Sequence, residues 1–166
     1  MIDRPRFIAQ SGTIIALLTA GSWISIPFFP VPLTLQTLFV LLAGAVMKRQ
    51  AVLPVGAYLL LGLLNLPVFH NGTAGLGVLL GPTGGYLLGF LPASLVAGFA
   101  YEWSAKTVRI SGIASATAFI YLFGAGWLVL STGMSTAAAL LVGVVPFIPG
   151  DAVKAGVVYF VGERVS

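Results

Sequence analysis

No Asp, Glu, Lys or Arg occurs between Phe7 and Met47, between Ala51 and Tyr101, or between Ile110 and Gly150. Stretches of that length leave no material for the polar shell that a soluble core requires. A soluble domain carries about 25% charged residues, whereas this chain of 166 residues carries 7% and is 58% hydrophobic. The expected class is an all-α integral membrane protein, built as a single transmembrane domain over residues 1–166.

A membrane span takes about 20 mostly apolar residues, and six can be placed. Helix 1 is expected over Phe7 to Ile26, ended by Pro27-Phe28-Phe29-Pro30-Val31-Pro32. Helix 2 runs from Leu33 to Met47 and helix 3 from Ala51 to Leu66. A Gly-rich loop from Pro67 to Gly81 follows, then helix 4 over Pro82 to Tyr101 and helix 5 over Gly112 to Ser131. The apolar stretch Met134 to Val145 is short and meets Pro146 and Pro149, so it reads as a half-helix or buried hairpin leading into helix 6, Gly150 to Gly162. Arg4 and Arg6 before an apolar run resemble a signal peptide in outline. The run is long enough to span and no small-x-small cleavage site follows it, so a first membrane helix is expected.

The basic residues set the orientation. Arg4 and Arg6 precede helix 1, Lys48 and Arg49 follow helix 2, Lys106 and Arg109 follow helix 4, and Arg164 follows helix 6. The loops after helices 1, 3 and 5 carry no Lys or Arg. This positive-inside pattern predicts a multi-pass protein of the cell membrane with both termini cytoplasmic. The net charge of +4 does not indicate nucleic acid, because the basic residues come in twos between apolar spans and form no stripe. With no Cys, one His and four acids, no metal site, cofactor or thiol chemistry is expected.

Lys154 alone breaks the charge pattern. It lies three residues after Asp151 in Pro149-Gly150-Asp151-Ala152-Val153-Lys154, inside an apolar segment. That spacing puts both side chains on one helical face. Ionisable groups at membrane depth are costly and commonly mark a substrate or ion path; the plainer role is an ion pair holding helix 6 in place. Counted from Gly150 to Arg164, helix 6 rises only about 20 Å at about 1.5 Å per residue, less than the roughly 30 Å hydrocarbon core. It should therefore begin below the outer surface, beside protein or a water-filled hollow. An outward-facing ligand pocket is the expectation. A carboxylate accepts from ligand N–H groups and an ammonium donates to ligand oxygens.

Other polar residues have two readings each. Gln36, near the start of helix 2, bonds either a ligand or a helix carbonyl. Asn71, in the Gly-rich loop, suits a ureido or amide group, and a plain turn serves as well. Tyr86 stacks on a ligand or sits at the interface. His70 is assigned no role. Gly12, Ala16 and Ala20 recur every four residues on helix 1, which allows close approach of another helix, from inside the bundle or from a second membrane protein. Catalysis has no support: no nucleophile with a base and no nucleotide-binding motif is present.

Four segments together resemble the BioY family: Val31 to Gly44 (VPLTLQTLFVLLAG), Leu66 to Phe69 (LPVF), Gly81 to Phe90 (GPTGGYLLGF) and Pro146 to Lys154 (PFIPGDAVK). These are biotin-specific substrate-binding (S) components of energy-coupling-factor (ECF) transporters. The resemblance implies a six-helix bundle that captures biotin from outside with high affinity. It implies docking on a transmembrane coupling protein that carries two cytoplasmic ATPases. Family biotin contacts match Asp151 and Lys154, a loop Asn corresponds to Asn71, and the docking face falls on Gly12, Ala16 and Ala20. The alternative implied is a self-sufficient biotin facilitator that works without the ATPase module. A channel would need polar residues across helices 3 and 5, which offer almost none, and an intramembrane enzyme would need catalytic groups that are missing.

Overall fold

Residues 3–165 are described by the structure, a computed structural model. Its helices are α1 (Arg4–Trp23), α2 (Gln36–Met47), α3 (Val52–Leu63), α4 (Leu76–Leu80), α5 (Gly84–Ala100), α6 (Lys106–Thr132), α7 (Thr136–Gly143) and α8 (Ile148–Val165). Two short strands, β1 (Ser25–Ile26) and β2 (Leu33–Thr34), pair antiparallel between α1 and α2, with Ser25 opposite Thr34.

The hairpin corrects two helix boundaries. Helix 1 stops at Trp23, three residues before the apolar run ends, because Ile26 precedes Pro27 and a residue before proline is pushed out of the helical region. The same prolines keep the chain extended and postpone α2 to Gln36. α3 ends three residues early as well. Asn65 takes the left-handed conformation (φ 65°), and the Leu66 amide donates to the Leu61 carbonyl at 3.1 Å, which closes the last turn. α6 starts earlier than expected, at Lys106, since basic residues at a membrane surface continue a helix without penalty. Gly133 (φ 73°) ends it.

α2 and α3 contain 12 residues each, about 18 Å apiece, and a 3-10 turn over Lys48–Ala51 joins them. The chain doubles back at this turn rather than running on, and both helices pack against α1 and α5. The Gln36 amide, at the start of α2, donates to the Tyr58 hydroxyl in α3 at 2.7 Å. α6 is long and apolar enough to cross a membrane unaided, and so is the run from Thr136 to Val165. That run is broken at Val144 and by the turn Val145–Phe147, where Pro146 and Pro149 interrupt the backbone ladder. The expected half-helix is thus α7. Ser135 caps it, accepting from the Ala138 amide at 3.2 Å.

The Gly-rich connection between α3 and α5 packs down on the bundle. Phe69 is fully buried, edge-on to Tyr58 with centroids 5.6 Å apart. Gly62 makes room for it: a Cβ there would lie 2.0 Å from the Phe69 ring. Gly62→Ala should therefore destabilise the protein by about 1–3 kcal/mol through overpacking, read as a lowered unfolding temperature in detergent. Trp23 and Trp127 donate their indole N–H groups to the carbonyls of Pro67 and Gly81 at 3.1 and 3.0 Å, pinning both ends of this segment. His70 lies half-buried in it, and burial lowers its pKa below the ordinary value.

The remaining charges gather at the opposite end of the bundle. Arg49, on the α2–α3 turn, pairs with Glu102 beyond α5, and Arg109 of α6 pairs with Glu163 near the end of α8.

Candidate functional site

Asp151 sits in the first turn of α8, where the helix dipole favours a negative charge. It is 4% exposed. An isolated carboxylate at that depth would cost several kcal/mol, and three donors offset this. Lys154 Nζ reaches Oδ1 at 2.8 Å, Thr37 Oγ1 donates to Oδ1 at 3.0 Å, and the Tyr121 hydroxyl donates to Oδ2 at 2.7 Å. The ammonium also donates to the Thr34 carbonyl at 2.7 Å and to Thr37 Oγ1 at 2.8 Å. The carbonyl of Thr34 is available because the hairpin ends just before α2. The β1–β2 excursion is thereby tied to the ion pair.

The pair opens onto a hollow. Asp151 and Lys154 line a small, partly open cavity, bounded above by Val31, Pro32 and Thr83 and walled by Tyr86, Phe90, Ile120 and Phe147. Apolar walls with a few convergent polar groups are the common make-up of a ligand site. The cavity lies beneath the hairpin and the start of α5, far along the bundle from the Arg49–Glu102 and Arg109–Glu163 pairs. Tyr86 and Phe147 lie near-parallel on one wall, centroids 6.3 Å apart. Tyr86 is held by its hydroxyl, which donates to the Gly143 carbonyl at 2.7 Å. Two glycines admit the side chain: a Cβ at Gly124 would lie 2.2 Å from its ring, and one at Gly143 would lie 2.4 Å from its hydroxyl.

Gln36 also lines the cavity, but its bonding partners are side chains rather than a helix carbonyl. Thr34 Oγ1 donates to its Oε1 at 3.1 Å and its Nε2 donates to Tyr58, which in turn donates to the Val68 carbonyl at 2.8 Å. Ser22 Oγ reaches that same carbonyl at 2.8 Å. Four of the five expected ligand-site residues, Asp151, Lys154, Gln36 and Tyr86, therefore meet at one hollow. Asn71 does not. It occupies a left-handed position (φ 54°) in the turn His70–Gly72, exposed, and its Oδ1 accepts from Ser25 Oγ at 2.7 Å. That geometry makes it a brace between loop and hairpin rather than a lining residue.

The family model for the BioY family matches residues 3–166. The chain belongs to the BioY family. Among its relatives, the "Biotin transporter BioY" of Thermotoga maritima is 40% identical over 97% of this chain and 96% of its own length. The "Probable biotin transporter BioY" of Pyrococcus horikoshii is 38% identical over 92% and 91%. Among solved structures, the S-component for biotin from an ECF-type ABC transporter superposes with a TM-score of 0.89 at 27% identity, covering 99% of this chain and 94% of the other. The all-α membrane bundle expected from the sequence is thus the fold of this BioY chain.

Sequence reasoning missed Thr34, Thr37 and Tyr121, the three residues that complete the ion pair. The expected docking residues lie elsewhere: Gly12, Ala16 and Ala20 are all exposed along α1, and a Cβ on Gly12 would meet nothing within 4 Å.

Proposed function

We propose that this chain captures biotin from outside the cell as the substrate-binding S component of an ECF transporter, and that it is a transport subunit rather than an enzyme. One observation carries the reading. A buried carboxylate–ammonium pair opens onto an apolar cavity in a chain whose relatives are named biotin transporters. Biotin presents two ureido N–H groups and a carbonyl on one side of a compact bicycle, and a carboxylate on a flexible tail. Asp151 accepts a ureido N–H group, and Lys154 donates to the ureido oxygen or to the carboxylate. Tyr86, Phe90 and Phe147 supply flat apolar surface for the bicycle. Gln36 adds a polar contact that Tyr58 holds in register.

The end of the bundle bearing the Arg–Glu pairs is cytoplasmic in this reading, with both termini on that side, in the cell membrane. The exposed small residues of α1 receive a transmembrane coupling protein that carries two ATPases. Biotin is cargo, not a cofactor.

Purified protein should be challenged with biotin, thiamine, riboflavin and folate in a thermal-shift assay. Biotin at 100 times its dissociation constant should stabilise the folded state by about 2.7 kcal/mol, and the other vitamins should leave the unfolding temperature unchanged. Stabilisation by another vitamin with none from biotin would overturn the proposal.

A further inference from the structure

α6 leans along α5 but meets α8 at few points, so the two part and leave a cleft on the outside of the bundle. Ala114, Thr117 and Ala118 of α6 and Ile148, Ala152 and Ala155 of α8 wall this cleft, and Tyr121 and Asp151 line it as well. The same two residues line the ligand cavity on the other side. Tyr121 also borders the next groove along α6, towards α7. A carboxylate that is 4% exposed therefore stands between the ligand cavity and the outer surface of the bundle, which faces hydrocarbon in the membrane setting proposed above. The four alanines are too short to cover it, the Thr117 hydroxyl is turned to the Ile113 carbonyl at 3.0 Å, and Ile148 is itself exposed. What closes the gap is the Tyr121 ring, fixed by the 2.7 Å bond from its hydroxyl to Oδ2.

That bond has a second consequence. Lys154 and Thr37 both bond Oδ1. Tyr121 is the partner of Oδ2, and it holds the plane of the carboxyl group. A carboxylate turned out of plane presents its lone pairs at the wrong angle to a ligand N–H donor.

We propose that Tyr121 is the positioning and sealing residue of the ligand site: its hydroxyl sets the Asp151 carboxylate to receive ligand N–H groups, and its ring closes the cavity against the bilayer between α6 and α8. The positioning half rests on the reading of Asp151 as the biotin acceptor. The sealing half does not.

Two measurements on the full chain separate them. The first is a double-mutant cycle read by equilibrium biotin binding. Tyr121→Phe keeps the ring, loses the hydroxyl, and should weaken binding about tenfold, the scale of a hydrogen bond to a charged group. In an Asp151→Asn background the same change should have almost no further effect, because the group it orients is gone. Full affinity in Tyr121→Phe, or losses that simply add, would overturn the positioning role; a residue that only packs gives additive losses.

The second needs no ligand. The chain has no cysteine, so Ala118→Cys introduces a single thiol on the cleft wall. In lipid vesicles a charged, water-soluble maleimide should leave it unmodified while Tyr121 is present, since hydrocarbon offers neither water nor thiolate. With Tyr121→Ala, water should enter through the cavity and labelling should rise at least tenfold. Tyr121→Leu refills the gap, keeps labelling low, and guards against a fold lost in the alanine variant. Labelling that is high with Tyr121 intact, or low in a folded Tyr121→Ala protein, would overturn the seal. Failure of biotin to bind the parent protein would instead remove the transport reading and leave the labelling result standing.

Discussion

Asp151→Asn and Lys154→Ala should each weaken biotin binding at least tenfold, and they should differ in what they do to the fold. Asparagine preserves the shape of Asp151 but replaces one acceptor oxygen with a donor. It then faces a ligand that brings two N–H groups. One charged hydrogen bond is worth about 1.5–3 kcal/mol, and 1.4 kcal/mol is a factor of ten. Lys154 retains the Thr34 carbonyl and Thr37 Oγ1, so most of its bonding survives. Lys154→Ala is harsher. The carboxylate keeps Thr37 and Tyr121 but loses its counter-charge while 4% exposed. Removing one partner of a buried pair commonly destabilises by about 3–5 kcal/mol. The unfolding temperature should fall further in Lys154→Ala than in Asp151→Asn. The double variant Asp151→Asn with Lys154→Met should regain stability without regaining biotin, since no uncompensated charge remains. Wild-type affinity in both single variants, measured by equilibrium binding, would remove the pair from the ligand site. Recovery of binding in the double variant would mean that the pair serves the fold alone.

The sequence revealed the site where its chemistry was conspicuous against an apolar background. Asp151, Lys154 and Gln36 stand out because lipid-embedded segments tolerate few such groups. Hydroxyls do not stand out, because a helix can absorb them. Thr13, Thr19 and Thr117 bond the carbonyls four residues back, at 2.9, 2.9 and 3.0 Å, and nothing in the sequence separates them from Thr37, whose hydroxyl meets the ion pair instead. Tyr121 was invisible for a related reason: Tyr is common in membrane helices, and only the divergence of α6 from α8 gives it a task. Apolar periodicity is similarly mute about the hairpin. Ile24 and Ile26 prolong the apolar tone of α1 across Ser25, and Pro27 is the signal that the chain has left the helix. Asn71 shows the converse limit. Its amide is suited to a ureido group, but a left-handed turn residue on an exposed loop goes where the turn carries it, and that is towards Ser25.

Gly12→Leu combined with Ala16→Leu should abolish recovery of a coupling protein and ATPases with this chain while leaving biotin affinity within about twofold of wild type. Both positions are exposed on α1, and added atoms at Gly12 have open space to enter, so the bundle need not move. Neither residue borders the cavity, whose α1-proximal wall is formed by the hairpin residues Val31 and Pro32. A partner helix is affected differently. Between membrane helices there is no hydrophobic driving force, and association depends on close van der Waals approach that small residues permit. Two leucines on one stripe hold the partner backbone away and forfeit that contact along the whole seam. Leu18, which is fully buried, supplies the contrast: Leu18→Ala should lower the unfolding temperature through a cavity worth about 2–5 kcal/mol and still permit docking. Uptake of labelled biotin by cells decides what the docking means. Loss of uptake with binding intact marks a subunit that cannot move its cargo alone. Undiminished uptake by the double-leucine variant would reject the coupled reading in favour of a facilitator that needs no ATPase.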